Sequence, residues 1–221
     1  MRTSPNYMVA GLVGVVAAGF AFFSQSGNSQ ESAEPIAASQ ADAVFAGGCF
    51  WCTEADFDKV DGVVQTISGY TGGDVANPSY EQVTTGTTSH YESVRVIYDP
   101  TVVSYDELVD YYWRTIDPLD ARGQFCDKGT SYRTAIFVET DEERATAEEA
   151  KAELSESGEL SGEIKTEILS QGTFWPAEDY HQDYYKKNKS RYDFYRSRCG
   201  RDQRLEQIWG EDAAKKIAAN F

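Results

Sequence analysis

The sequence predicts a two-layer domain of the α/β or α+β class, because strand-like runs alternate with helical stretches and several gaps between strands exceed hairpin length. Residues Ala43 to Ala46 are apolar and run into Gly47 and Gly48, the pattern of a buried strand that ends in a tight turn. In the stretch that follows, Phe50, Thr53 and Phe57 fall on one helical face, while Glu54 and Asp56 favour a helix start, so Cys49 is expected at or beside a helix N-terminus. Val63 to Ile67 alternates as a half-buried strand, closed by Gly69-Tyr70-Thr71-Gly72-Gly73, and Val94 to Tyr98 alternates again before Asp99-Pro100. Ser104 with Glu107 forms a capping box for a helix carrying Leu108, Tyr111, Tyr112 and Thr115, which Asp117-Pro118 stops. Ala135 to Val138 is a continuous apolar run, as in strands buried on both faces. Thr140 with Glu143 opens a second capped helix, with Gly158 at its expected left-handed terminus, and Ile164, Thr166 and Ile168 alternate once more. The loop from Gly69 to His90 and the tail after Phe174 show no period, and loops of such length in compact domains usually carry function.

Three segments divide the chain. Residues 1–25 are read as a signal peptide or N-terminal membrane anchor, on the uncharged run Met8 to Phe23 behind Arg2. Residues 26–43 are a flexible linker, and 44–221 form one domain with a C-terminal tail. The expected location is therefore extracytoplasmic, with membrane contact through the N-terminal segment alone, in a compartment where disulfides persist. Both methionines, Met1 and Met8, belong to the leader, which suits an oxidising milieu. The net charge of -16 excludes nucleic acid as a main partner, since phosphate binding requires a concentrated basic face. Its acidic run from Asp141 to Glu163 reads as a solvated helix face.

A thiol at a helix start is chemically distinctive, because the thiolate is the nucleophile and the positive helix end favours it. Cys49 has that placement, behind two glycines that leave room for a substrate and ahead of Phe50 and Trp51, apolar surface for a small methyl group. Cys49-Phe50-Trp51-Cys52 is also a CxxC, which alone is compatible with a redox pair, half a metal site or a structural bridge. A four-cysteine zinc site is disfavoured, because Cys126 and Cys199 stand far apart.

GGCFWCTE, GYTGG with Asn77-Pro78-Ser79-Tyr80, HYESVRVIYDP and DKGTSYRTAIF, in that order, resemble the A-type peptide methionine sulfoxide reductases across Val44 to Tyr185. The resemblance implies a two-layer α+β sandwich around a mixed sheet, with a ferredoxin-like core, extended loops and no bound metal or organic cofactor. It implies reduction of methionine S-sulfoxide in oxidised proteins or peptides, by a monomer that an external thioredoxin-like dithiol recycles. Position by position, it makes Cys49 the nucleophile, Phe50 and Trp51 the substrate pocket, and Glu92 the proton donor. Tyr80 and Tyr132 become the hydroxyls on the sulfoxide oxygen, and Asp127 the acid that opens the last motif.

These residue types suit the chemistry independently. Oxide is a prohibitive leaving group, so the sulfoxide oxygen must be hydrogen-bonded and protonated as sulfur is attacked. A glutamate whose pKa burial has raised can supply that proton, and neutral tyrosines can hold the oxygen. His90 and His181 are expected to be structural. A second thiol must then condense with the Cys49 sulfenic acid. Cys199, followed by Gly200, is favoured as a mobile resolving arm. Cys52 is the alternative, since its bridge to Cys49 requires the first helical turn to distort or both side chains to converge, and Cys126 lies close enough to compete. A rival reading is an exported thioredoxin-like disulfide oxidoreductase using Cys49 and Cys52 and indifferent to Glu92→Gln. A second rival is a binding module with a structural Cys49-Cys52 or Cys126-Cys199 bridge.

Overall fold

The computed structural model describes residues 39–211 besides the first two; the expected leader and most of the linker, like residues 212–221, lie outside the described residues. One six-stranded sheet forms the centre. Its strands are β1 (Ala41–Gly47), β2 (Val63–Thr71), β3 (Tyr91–Tyr98), β6 (Thr134–Val138), β7 (Glu167–Ser170) and β8 (Trp175–Pro176), in the order β7-β6-β1-β3-β2-β8. The β6–β7 pair is parallel and the others are antiparallel, so the sheet is mixed. The small hairpin β4 (Gly123–Gln124) and β5 (Asp127–Lys128) stands apart. The helices are α1 (Phe50–Phe57), α2 (Tyr80–Thr84), α3 (Tyr105–Arg114), α4 (Asp141–Glu156), α5 (Tyr184–Lys187), α6 (Lys189–Cys199) and α7 (Arg201–Trp209). The first strand begins at Ala41, inside the expected linker, because Ala41 to Ala43 pair with Val96 to Tyr98.

Both expected capping boxes form, Ser104 with Glu107 on α3 and Thr140 with Glu143 on α4. Each hydroxyl and each carboxylate satisfies an amide that the helix itself leaves unbonded. β6 is buried along its whole length between β1 and β7, as its unbroken apolar run requires. On the helical side of the sheet, Phe45 stacks on Phe57 at 4.9 Å and on Tyr112 at 5.0 Å between ring centres, locking α1 and α3 to β1.

The stretches without sequence period are ordered by polar contacts. Within Gly69 to His90, β2 continues to Thr71 and α2 forms on a Ser79–Gln82 capping box. His90 is buried there: Nδ1 accepts from the Gly73 amide at 3.1 Å and Nε2 lies 2.8 Å from the Val75 carbonyl. The tail folds into β8, α5, α6 and α7. Glu54 and Asp56, read as helix-start residues, are buried instead. Glu54 accepts from the Asp183 amide and Asp56 binds Arg196 and Lys59, because the tail packs over α1.

Candidate active site

Cys49 occupies the N-cap of α1, between the end of β1 and the first helical turn, and its carbonyl accepts from the Cys52 and Thr53 amides. The preceding Gly48 has φ +86°, and a β-carbon there would meet the Gln124 side chain at 2.5 Å, so only glycine brings the chain to this turn. Antiparallel pairing of β2 with β3 sets Glu92 opposite Tyr70, with its carboxyl under the start of α1, where Oε2 accepts the Phe50 amide at 3.1 Å. Burial pushes the Glu92 pKa from 4.5 up to about 8, against the opposing pull of that hydrogen bond. The carboxyl is therefore protonated at neutral pH.

Tyr80 opens α2 and Tyr132 ends a short 3-10 turn, Thr130–Tyr132; the Tyr132 hydroxyl lies near enough to Glu92 and Tyr80 to influence the ionisation of both. Burial raises both phenols, Tyr80 to about 12, so they remain neutral donors. Asp127, on β5, accepts the Tyr195 hydroxyl, and Tyr195 reaches Cys49 as well. The expected positions Cys49, Glu92, Tyr80, Tyr132 and Asp127 thus converge on one place. A groove of about 540 Å³ beside β2, lined among others by Val63, Ile67, Ala177 and Tyr185, contains none of them.

Phe50 and Trp51 flank the thiol differently. Phe50 is buried against Tyr70, Tyr80 and His181. Trp51 is half-buried, stacks on Tyr184 with ring centres 3.7 Å apart, and donates its indole N–H to His181 Nδ1 at 3.0 Å. His181 is therefore the tautomer with hydrogen on Nε2, and burial lowers its pKa to about 4. Tyr184, Tyr195 and His181 come from the tail, where polar composition gave no period. The signal available was the spacing of Tyr192, Tyr195, Arg196 and Cys199, which fall on one face of α6.

The cysteines differ from expectation in two respects. Cys199 is bonded to Cys126, so it is not the free arm the sequence led us to expect; the loop at Cys126 and the end of α6 meet with their Cα atoms 4.9 Å apart. Cys49 and Cys52 are free and buried, and lie close enough for each to bias the other's ionisation. An N-cap residue lies outside the helical dihedrals, so the Cys49 side chain meets Cys52 without distortion of the helix body. The helix start does not dominate the Cys49 thiol. Burial, then the Cys52 contact and the nearby Glu92 and Asp127, push its pKa well up. Cys52 is lowered to about 7 by the neighbouring Cys49 thiol, against burial, with Arg201 and Arg196 assisting. Cys126, Asp127 and Cys199 place three potential metal-ligand atoms within 4.8 Å, but the disulfide occupies both sulfurs.

The profile of the family described as "Peptide methionine sulfoxide reductase" matches residues 41–213. The chain is 47% identical over 203 residues to the MsrA/MsrB protein of Vibrio cholerae, covering 92% of this chain and 54% of that longer protein. It is 52% identical over 168 residues to MsrA of Bacillus licheniformis, 76% of this chain and 93% of the relative. Among solved structures, methionine sulfoxide reductase A of Corynebacterium diphtheriae superposes with a TM-score of 0.62 at 36% identity, over 69% of this chain and 77% of the other. Reduced Mxr1 of Saccharomyces cerevisiae gives 0.61 at 33%, over 69% and 87%.

Proposed function

Because the chain belongs to the peptide methionine sulfoxide reductase family, we propose that it reduces methionine S-sulfoxide in oxidised polypeptides with Cys49 as nucleophile and Glu92 as acid. The observation that carries this reading is a buried, protonated carboxyl at the same helix start as the thiol, with two neutral phenols beside it. The substrate methyl packs against Phe50 and Trp51, and Tyr80 and Tyr132 hold the sulfoxide oxygen. The Cys49 sulfur attacks the substrate sulfur, its proton passing to the neighbouring Cys52 sulfur, as Glu92 protonates the oxygen. Oxygen passes to Cys49, giving a sulfenic acid and methionine. Asp127 and Tyr195 complete the wall around Cys49.

In the second step Cys52, the free thiol in contact with Cys49, displaces water from the sulfenic acid and forms a Cys49–Cys52 disulfide. A thioredoxin-like dithiol then restores both thiols. The uncharged run Met8 to Phe23 supports export ahead of the domain.

The test is one equivalent of methionine S-sulfoxide added to the reduced protein, with methionine release followed and disulfides located by mass spectrometry. Cys49→Ser releases no methionine; Cys52→Ser releases one equivalent and then stalls. Multiple turnover by Cys52→Ser with a thioredoxin-type donor would assign resolution to another thiol, and turnover by Cys49→Ser would refute the mechanism.

A further inference from the structure

One helical turn beyond Cys52 lies a charge cluster that the first chemical step does not use. Asp56, one helical turn after Cys52 on α1, is buried, and its Oδ1 accepts Arg196 Nη1 at 2.9 Å and Lys59 Nζ at 3.0 Å. Arg201, on α7, is also fully buried. It donates to the Gly47 carbonyl at 3.2 Å and the Thr115 carbonyl at 2.9 Å, and its guanidinium lies 4.6 Å over the Phe125 ring. Its Nε stops 3.6 Å from Asp56 Oδ2, and both atoms are buried without a hydrogen-bond partner.

The charges do not balance. Two guanidiniums, Arg196 and Arg201, face one fully buried carboxylate: Asp202, the second acidic partner of Arg196, and Lys59 each have a side chain 59% exposed, and Asp127, the other acid that feels Arg201, is only half-buried and is bonded to Tyr195. Water screens these outer charges and leaves the buried excess positive. Cys52, one helical turn before Asp56 on α1 and packed on Tyr192, is the neighbouring group whose ionised form matches it. Tyr192 of α6, which packs on Cys52 and Ala55, accepts a hydrogen bond from Arg196 Nη1 at 3.0 Å and so ties that guanidinium to the thiol's surroundings. The other titratable groups around Cys52 are Cys49 at the start of α1, Tyr195 on α6 and Glu92 on β3, and burial holds Tyr195 and Glu92 neutral at pH 7.

We propose that Arg196 and Arg201 are positioning residues for the second half of the reaction, holding Cys52 as a thiolate ready to attack the Cys49 sulfenic acid. This rests on the reading that Cys52 resolves. Before substrate binds, the Cys49 thiol hydrogen also favours the Cys52 thiolate; once Cys49 is oxidised that hydrogen has left it, whereas the guanidiniums are unchanged and favour its loss from Cys52. The thiolate sulfur forms a bond to the Cys49 sulfur, the S–O bond breaks, and the leaving hydroxide takes a proton to depart as water.

The experiment uses the full chain with Cys49 and Cys52 reduced, one equivalent of methionine S-sulfoxide, and quenched samples from pH 5.5 to 9. Methionine release and Cys49–Cys52 disulfide formation are timed separately. Arg196→Gln should slow disulfide formation roughly tenfold relative to methionine release at pH 7 and raise the midpoint of its pH profile by about one unit, with recovery in Arg196→Lys. Asp56→Asn, which removes the opposing charge, should lower the same midpoint. Opposite shifts from two substitutions in one cluster are not produced by loosened packing. Wild-type midpoints in both variants, with the Cys49–Cys52 bridge still forming, would overturn this proposal alone; a Cys49–Cys199 bridge in the unmutated chain would overturn it together with the resolver assignment.

Discussion

Glu92, the acid of the proposed mechanism, is kept protonated at a cost to stability. In the folded chain its carboxyl keeps its proton up to about 8, whereas an exposed glutamate loses it near 4.5. Between those values the unfolded chain gains from ionisation and the native chain does not. The contribution of Glu92 to stability is therefore intact below about 4.5 and is lost as pH rises through about 8. Glu54, buried and raised to about 7, acts in the same direction. Two outcomes follow for Glu92→Gln. Turnover of S-sulfoxide drops by roughly 100-fold or more, measured as kcat at pH 7, because the oxygen loses its acid. Urea unfolding at pH 5 and pH 8.5 shows a smaller loss of stability across that interval than in the unmutated chain. An equal loss in both would mean that the carboxyl ionises normally in the native state.

Among the elements, those built on local rules were legible in the sequence. Ser104 and Thr140 each accept the amide of the third residue of their helix, as the capping signature indicates. Ser104→Ala should lower unfolding free energy by about 1 kcal/mol, read from the urea midpoint with activity retained, since α3 reaches the site only through the core. The same signature at Ser79 and Gln82 does not stand out in the sequence, because no apolar run follows it and α2 lasts five residues. The C-terminal helices were illegible for a related reason. Tyr192 is the one buried side chain of α6, whose inward face is otherwise made of Tyr195, Arg196 and Cys199, so no hydrophobic period marks it. Contacts across 68 to 140 residues, such as Tyr195 to Asp127 and Arg196 to Asp56, give that face its meaning, and no local pattern encodes them. The candidate site is legible only as ordered motifs. Singly, Glu92 is a glutamate on a strand and Tyr80 a tyrosine in a loop.

For the molecule as a whole, the Cys126–Cys199 disulfide joins the edge of the site to the tail across 73 residues. Closing a loop of that size restricts the unfolded chain by about 4 kcal/mol on chain-entropy grounds. The sequence allows this bridge as one structural pairing, although Cys199 followed by Gly200 also reads as a mobile resolving arm. Cys126→Ser should lower the urea midpoint accordingly, and mild reduction of the unmutated chain should produce the same shift. The tail also has its own anchors. Arg204 binds Asp117 at 2.7 Å and Trp209 donates to the Ile116 carbonyl at 3.0 Å, so far-ultraviolet circular dichroism of the reduced chain should retain its helical signal. Loss of that signal on reduction would show that the covalent link alone secures the tail.

The stack of Trp51 on Tyr184, with its indole bonded to His181, has an optical consequence. If Trp51 lines the substrate pocket as proposed, its clamped indole should change its emission when a thioether or sulfoxide settles against it. The chain thus carries its own dye, and occupancy of the chamber can be titrated by fluorescence without a label.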